Sequence, residues 1–294
     1  MLFTYGKNTV VKNIARIMLT RFGRSQLNSF TDLGKLMKQF LETHQPMCPV
    51  NFDRPLVNGG TKNGFLNKSF KGSRIDDLFQ EKIIGSVYPE SKVNLYAEKV
   101  YSALDKINDL DPEIRKIFEI YINEITIQKS GESKDGKKAL GGTSSKSIGK
   151  IWFAPQDFLT VTDYIELLAH ELTHNLVFVD ELNYGYFEYK NMGKEEYYAK
   201  SAILNRNRPM DKVFHSIVVA AEIIQWRENF LYKMHKATVH PETSKIKSSI
   251  LTSISSIYEN PKAYSLLKDR PKEILEKVHT AVSNLSERKR ALCS

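Results

Sequence analysis

Two cysteines in 294 residues, Cys48 and Cys293, stand near opposite ends of the chain. They make no disulfide framework, and neither has a second cysteine at metal-site spacing, so a reducing compartment is the expected setting. No run of 18 apolar residues occurs, which excludes a transmembrane helix of the usual kind. Acidic residues are missing from positions 1–31, which carry Lys7, Lys12, Arg16, Arg21 and Arg24. No long apolar segment with a small-residue cleavage site follows them, so a cleavable secretory signal is not expected. The net charge of +9 is spread along the chain as lysines. No Arg-rich or aromatic-interleaved module stands out, and no nucleic-acid partner is expected. There is no internal repeat.

What is present suffices for a folded protein: 41% of the residues are hydrophobic, enough to bury a core in one large domain or two small ones. Val10, Val11, Ile14, Ile17 and Met18 recur at helical spacing within 8–22. That segment fits a transit peptide, a membrane-surface helix, a non-cleaved export signal, or a packed helix with a basic outer face. Leu33, Leu36, Met37, Phe40 and Leu41 predict a second helix over 31–43. Prolines and glycines crowd 44–74, which reads as a long irregular connection and a domain boundary. Helices are expected at 75–84, 91–108 and 112–124, the last opening at Asp111-Pro112. Ile125–Gln128 and Lys150–Ala154 read as strands that could pair as a hairpin across a Gly/Ser/Lys-rich loop at 131–149. Beyond residue 180 the sequence predicts a tyrosine-rich loop over 181–193 and a helix over 194–205. A long helix over 211–236 follows, then two or three helices within 245–292, broken near Asn260-Pro261 and Arg270-Pro271.

The sharpest pattern lies in Tyr164-Ile-Glu-Leu-Leu-Ala-His-Glu-Leu-Thr-His-Asn-Leu-Val-Phe178. It contains His170-Glu171-Leu172-Thr173-His174, an H-E-x-x-H motif. On a helix, positions i and i+4 share a face, so both imidazoles can converge on one ion. Glu171 follows the first ligand and is placed to act as a general base on water, the chemistry of a metallopeptidase. The surrounding Ala169, Leu172, Thr173, Asn175 and Leu176 are uncharged, as in a buried helix. Thr162 and Asp163 are candidate N-caps, and Glu166 stands three residues after Asp163 as in a capping box. Lys150–Ala154, shortly upstream, is the candidate edge strand for binding an extended substrate by strand addition.

A catalytic zinc takes three protein ligands as a rule and leaves one position open. Glu222 is the leading candidate for the third, because it is the one charge between His215 and Arg227 in an apolar helix and a buried carboxylate needs a partner. Asp180, ten residues after His170, is the runner-up, although Val177 stands where a helix-breaking glycine belongs at that spacing. Glu228, Glu195 and Glu196 complete the set. Candidate donors to a developing oxyanion are Tyr232, a tyrosine of 184–198, His215 and His235.

The apolar strand ending in Ala154-Pro155, the segment Leu167-Leu-Ala-His-Glu-Leu-Thr-His174 and the downstream helix with Glu222 and Arg227-Glu-Asn229 together resemble a known group. They are similar to the zinc metallopeptidases that bacterial pathogens inject through type III secretion, the NleD-like effector class, over residues 125–235. The resemblance implies His170 and His174 as zinc ligands, Glu171 as catalytic base and a downstream glutamate as further ligand. It also implies delivery into the host cell cytosol and a host signalling protein as substrate. The expected fold is α+β and predominantly helical: a zincin-like core with a small β-sheet and a helical C-terminal part. Expected divisions are 1–74 (helices and connection), 75–240 (catalytic core) and 241–294 (helical subdomain). The expected function is zinc-dependent hydrolysis of peptide bonds in a protein. The alternative is a basic helical module that binds a membrane or partner, with the motif helix structural.

Overall fold

A computed structural model of the chain describes residues 2–23, 30–46, 48, 50, 55–60, 69, 83–131, 138–231 and 238–291. The protein is predominantly helical with a small mixed sheet, an α+β arrangement. It divides into two compact units, one comprising Lys7–Asn183 and the other Met1–Gly6 with Tyr184–Ser294. The short helix α1 (Leu2–Tyr5) belongs to the second, helical unit.

In the first, sheet-containing unit, α2 (Lys7–Phe22) and α3 (Phe30–His44) pack on each other. The basic helix expected near the N-terminus is thus present, and Val10, Ile14, Ile17 and Met18 on its apolar face are buried, while Lys12, Arg16 and Arg21 are exposed. The stretch read as irregular contains a strand, β1 (Leu56–Gly59). Its short sequence has no alternating pattern, and it is made a strand by pairing with a distant segment. The helix expected at 75–84 falls on residues outside the described ones, save Ile83 and Ile84, and Ile84 bridges Ser130. Helix α4 (Glu90–Leu110) is followed by α5 (Pro112–Tyr121). Asp111 stops the first and caps the second, its side chain accepting from the Glu113 and Ile114 amides while Pro112 takes the first helical position.

Three more strands follow: β2 (Glu124–Ile127), β3 (Gly141–Gly142) and β4 (Lys150–Phe153). Their order in the sheet is β1-β2-β4-β3. The first three in that order run parallel, and β3 runs antiparallel to β4 at the edge. No hairpin joins β2 to β4, as the sequence had suggested, because Glu124 lies opposite Lys150 in a parallel ladder, and a parallel pair needs a longer crossover. Ile125, Ile127, Ile151, Trp152 and Phe153 are wholly buried, the unbroken apolar run that an interior parallel strand requires. The expected edge strand Lys150–Ala154 is therefore interior, and the glycines of β3 form the edge beside it. Gly141 suits that close approach: a Cβ there would lie 2.9 Å from both the Phe153 ring and the Trp152 carbonyl oxygen.

The motif helix, α6 (Val161–Tyr184), runs through the start of the expected loop at 181–193. In the helical unit, the helix expected at 194–205 is absent. A single 3-10 turn (Glu195–Tyr197) leads instead into a two-stranded ribbon, β5 (Ala199–Lys200) with β6 (Asn207–Arg208). Asn205 makes that reversal at φ +53, a conformation asparagine tolerates better than most residues. Helix α7 (Met210–Trp226) passes into a π turn (Arg227–Leu231), and the rest of the long helix expected to 236 lies outside the described residues. Then come α8 (Thr243–Tyr258), α9 (Pro261–Ser265) and α10 (Asp269–Ala291). Asn260-Pro261 does separate two helices, with Asn260 as the cap. Pro271 breaks nothing, because it occupies the first turn of α10. Helix α7 packs against α8 and α10 around Phe214, Ile217, Ile224, Ile250 and Leu275.

Candidate metal centre

Helix α6 is fastened at both ends and in the middle, which fixes the motif within the sheet-containing unit. Its cap is Thr160, two residues before the nearer expected candidate. The Thr160 amide and hydroxyl donate to the Asp163 carboxylate at 2.7 Å each, and the Asp163 amide donates back to the Thr160 hydroxyl at 3.3 Å. Asp163 is thus the acidic partner of the capping box, the role expected of Glu166. Tyr164 meets Phe153 of β4 edge-on, with ring centroids 6.5 Å apart. Near the other end, Asn13 donates to Asp180 at 2.5 Å, and the Asn183 amide donates to the Asn13 carbonyl at 2.9 Å.

Between these anchors, His170 and His174 turn the same way, their Nε2 atoms 3.2 Å apart. Two nitrogens each about 2.0–2.1 Å from a tetrahedral zinc stand about 3.3–3.4 Å apart, so the pair fits one shared ion. The Phe178 ring stacks against His174 at 6.3 Å and 24°, one turn further along the same stripe. A Glu171 oxygen lies 3.9 Å from the His170 Nε2. These three side chains can each offer a ligand atom within 4.8 Å of the others, and no other such group of three occurs among the described residues.

Glu171 is buried, and its Oε2 has no hydrogen-bond partner. Burial pushes its pKa well above the ordinary carboxylate value. A buried acceptor left unmatched is costly. Both histidines are half-buried, so the centre has access to solvent on their side while Glu171 stands behind it.

The remaining carboxylates are placed differently. Asp180 would need the helix to break near Val177. The helix is instead continuous, leaving Asp180 about 15 Å further along the axis than His170, against Asn13. Glu222 lies in the helical unit, buried in α7, where it accepts from the Phe3 amide at 3.2 Å. Glu228 is half-buried in the π turn. Glu195 and Glu196 are exposed, and Glu196 pairs with Lys262 at 2.7 Å. Of the candidate oxyanion donors, Tyr232 and His235 lie outside the described residues. His215 is buried in α7, where desolvation, with a smaller contribution from Lys212, lowers its pKa to about 3. Tyr186 packs among Phe187 and Phe214, whereas Tyr184 and Tyr189 are exposed.

Sequence reasoning passed over one residue. Asn175, directly after His174, is fully buried and hydrogen-bonded on both ends of its amide. Its signal was a lone amide in an otherwise apolar stretch. No protein-family model matches the sequence, and no curated protein matches it.

Proposed function

We propose that the chain is a zinc-dependent metallopeptidase with a zincin-like core. The observation that carries this reading is the convergence of the His170 and His174 Nε2 atoms at 3.2 Å beside a buried, unpartnered Glu171 oxygen. His170 and His174 would hold the ion. When bound, zinc would supply Lewis acidity to polarise the scissile carbonyl.

The chain's own residues then have defined tasks. Glu171 accepts a proton from the attacking water and later delivers it to the leaving amine. Strand β3 offers the sheet edge to an extended peptide, the part earlier expected of Lys150–Ala154.

By its resemblance to the NleD-like effectors, we further propose that the substrate is a host signalling protein and that the chain acts in the host cytosol. Comparing the proteomes of cells expressing wild type and Glu171→Gln for a cleaved protein would test this. Membrane contact by α2 is a separate proposal. Its exposed residues include Lys12, Arg16 and Arg21 with Leu19 among them, so binding to anionic liposomes should weaken in high salt.

Elemental analysis of purified protein tests the central reading. One zinc per chain in the wild type and its loss in His170→Ala are expected. A metal-free wild type, or full proteolysis by Glu171→Ala, would sink it.

A further inference from the structure

Asn175 uses its whole side chain to join three segments of the sheet-containing unit. Its Nδ2 donates to the Glu171 carbonyl one turn back at 2.9 Å and to the Thr143 hydroxyl at 3.2 Å. Its Oδ1 accepts from the Gly149 amide at 2.7 Å. Thr143 directly follows the edge strand β3, and Gly149 directly precedes β4. The Thr143 hydroxyl in turn donates to the Lys150 carbonyl at 2.8 Å. One buried amide therefore connects the backbone of the proposed base to both ends of the loop that carries the sheet edge.

The loop is itself unable to drift. Gly149 sits at φ +86, and a Cβ there would lie 2.4 Å from the Asn123 side-chain Nδ2 and 3.0 Å from the Tyr121 carbonyl oxygen. The Gly149 carbonyl accepts from the Asn123 amide at 2.8 Å and the Glu124 amide at 3.3 Å, tying this point to the start of β2. With one end of the loop so held and β3 paired to β4, the Thr143 link is a further tie between β3 and α6.

We propose that Asn175, acting through Thr143, is a positioning residue that sets the register between the edge strand and the His170–Glu171–His174 centre. The inference rests on the peptidase reading above. A peptide added to β3 must bring one carbonyl to the histidines, and its other residues are held by the strand. A shift of the strand against the helix leaves each half intact and spoils their agreement. Asn175 touches neither substrate nor ion in this scheme; it acts through backbone and hydroxyl.

The test compares two probes on the zinc-loaded full chain: acetohydroxamate, which reaches only the metal, and an extended tripeptide hydroxamate, which must also lie along the strand. Asn175→Ala leaves the Gly149 amide unpaired in the core and is open to misfolding, so Thr143→Val is the deciding variant. It should weaken the tripeptide hydroxamate by about tenfold, the scale of one hydrogen bond, and leave acetohydroxamate unchanged. Thr143→Ser, which restores the hydroxyl, should recover the affinity. Equal weakening of both probes, no weakening of either, or no recovery in Thr143→Ser overturns the positioning role. A wild-type chain that retains no zinc overturns the peptidase reading itself, and this inference with it.

Discussion

Replacing Glu171 by Met should make the metal-free protein more stable and abolish its activity. Met keeps the unbranched shape of Glu and removes the carboxylate. In the fold, Glu171 is 2% exposed, its Oε2 has no partner, and its Oε1 stands 3.9 Å from the His170 Nε2. An unmatched buried polar group costs about 1–3 kcal/mol, and the substitution removes that cost without opening a cavity. The gain should therefore be about 1–3 kcal/mol in urea unfolding with chelator present, or a rise of about 2–4 °C in Tm per kcal/mol for a unit of this size. In the zinc-loaded protein, loss of the base should lower peptide hydrolysis by about 10²–10⁴. Stability gained where activity is lost is the mark of a residue kept for chemistry. A variant less stable than wild type by more than 1 kcal/mol would show that Glu171 is a structural member of the core, and retained hydrolysis would refute its role as base.

Further outcomes follow from the same reasoning. His215, whose pKa burial lowers from 6.5 to about 3, stays neutral in the fold while the unfolded chain takes up a proton below pH 6.5. Its contribution is thus fully present above pH 6.5 and is lost as pH falls toward 3, by up to about 1.4 kcal/mol per unit. Between pH 7.0 and 5.5, urea unfolding of the wild type should lose about 1.4 kcal/mol more than that of His215→Gln, and equal losses would contradict the assignment. Gly149→Ala forces a Cβ against Asn123 and the Tyr121 carbonyl at positive φ, and should cost about 1–3 kcal/mol by the same measurement. His170→Ala should release zinc on dialysis under conditions where the wild type keeps one equivalent.

Local patterns were legible where local physics decides. The 3.6-residue recurrence in α2 and α3 marks the faces that are buried, and Asp111-Pro112 marks the start of α5 through its cap. Patterns failed where a distant partner decides. Leu56–Gly59 is a strand because β2 lies beside it, and the residues 199–208 form a ribbon because Ala199 faces Arg208 across a reversal at Asn205. Parallel pairing of β2 with β4, in place of a hairpin, cannot be read from either strand, because both orientations present the same apolar sequence to their neighbours.

The motif itself shows the same division. That His170 and His174 share a helix face, with Glu171 adjoining, was determined by the sequence alone, because helical periodicity brings positions i and i+4 together in any fold. The continuation of α6 past Val177, which holds Asp180 against Asn13, was decided by tertiary structure through a contact 167 residues away in the chain. So was the isolation of Glu171, since whether a buried carboxylate has a partner depends on every segment packed around it. The place of Asn175 was decided there too: its bonds to Thr143 and Gly149 span 32 and 26 residues, and only folding brings those segments to the helix.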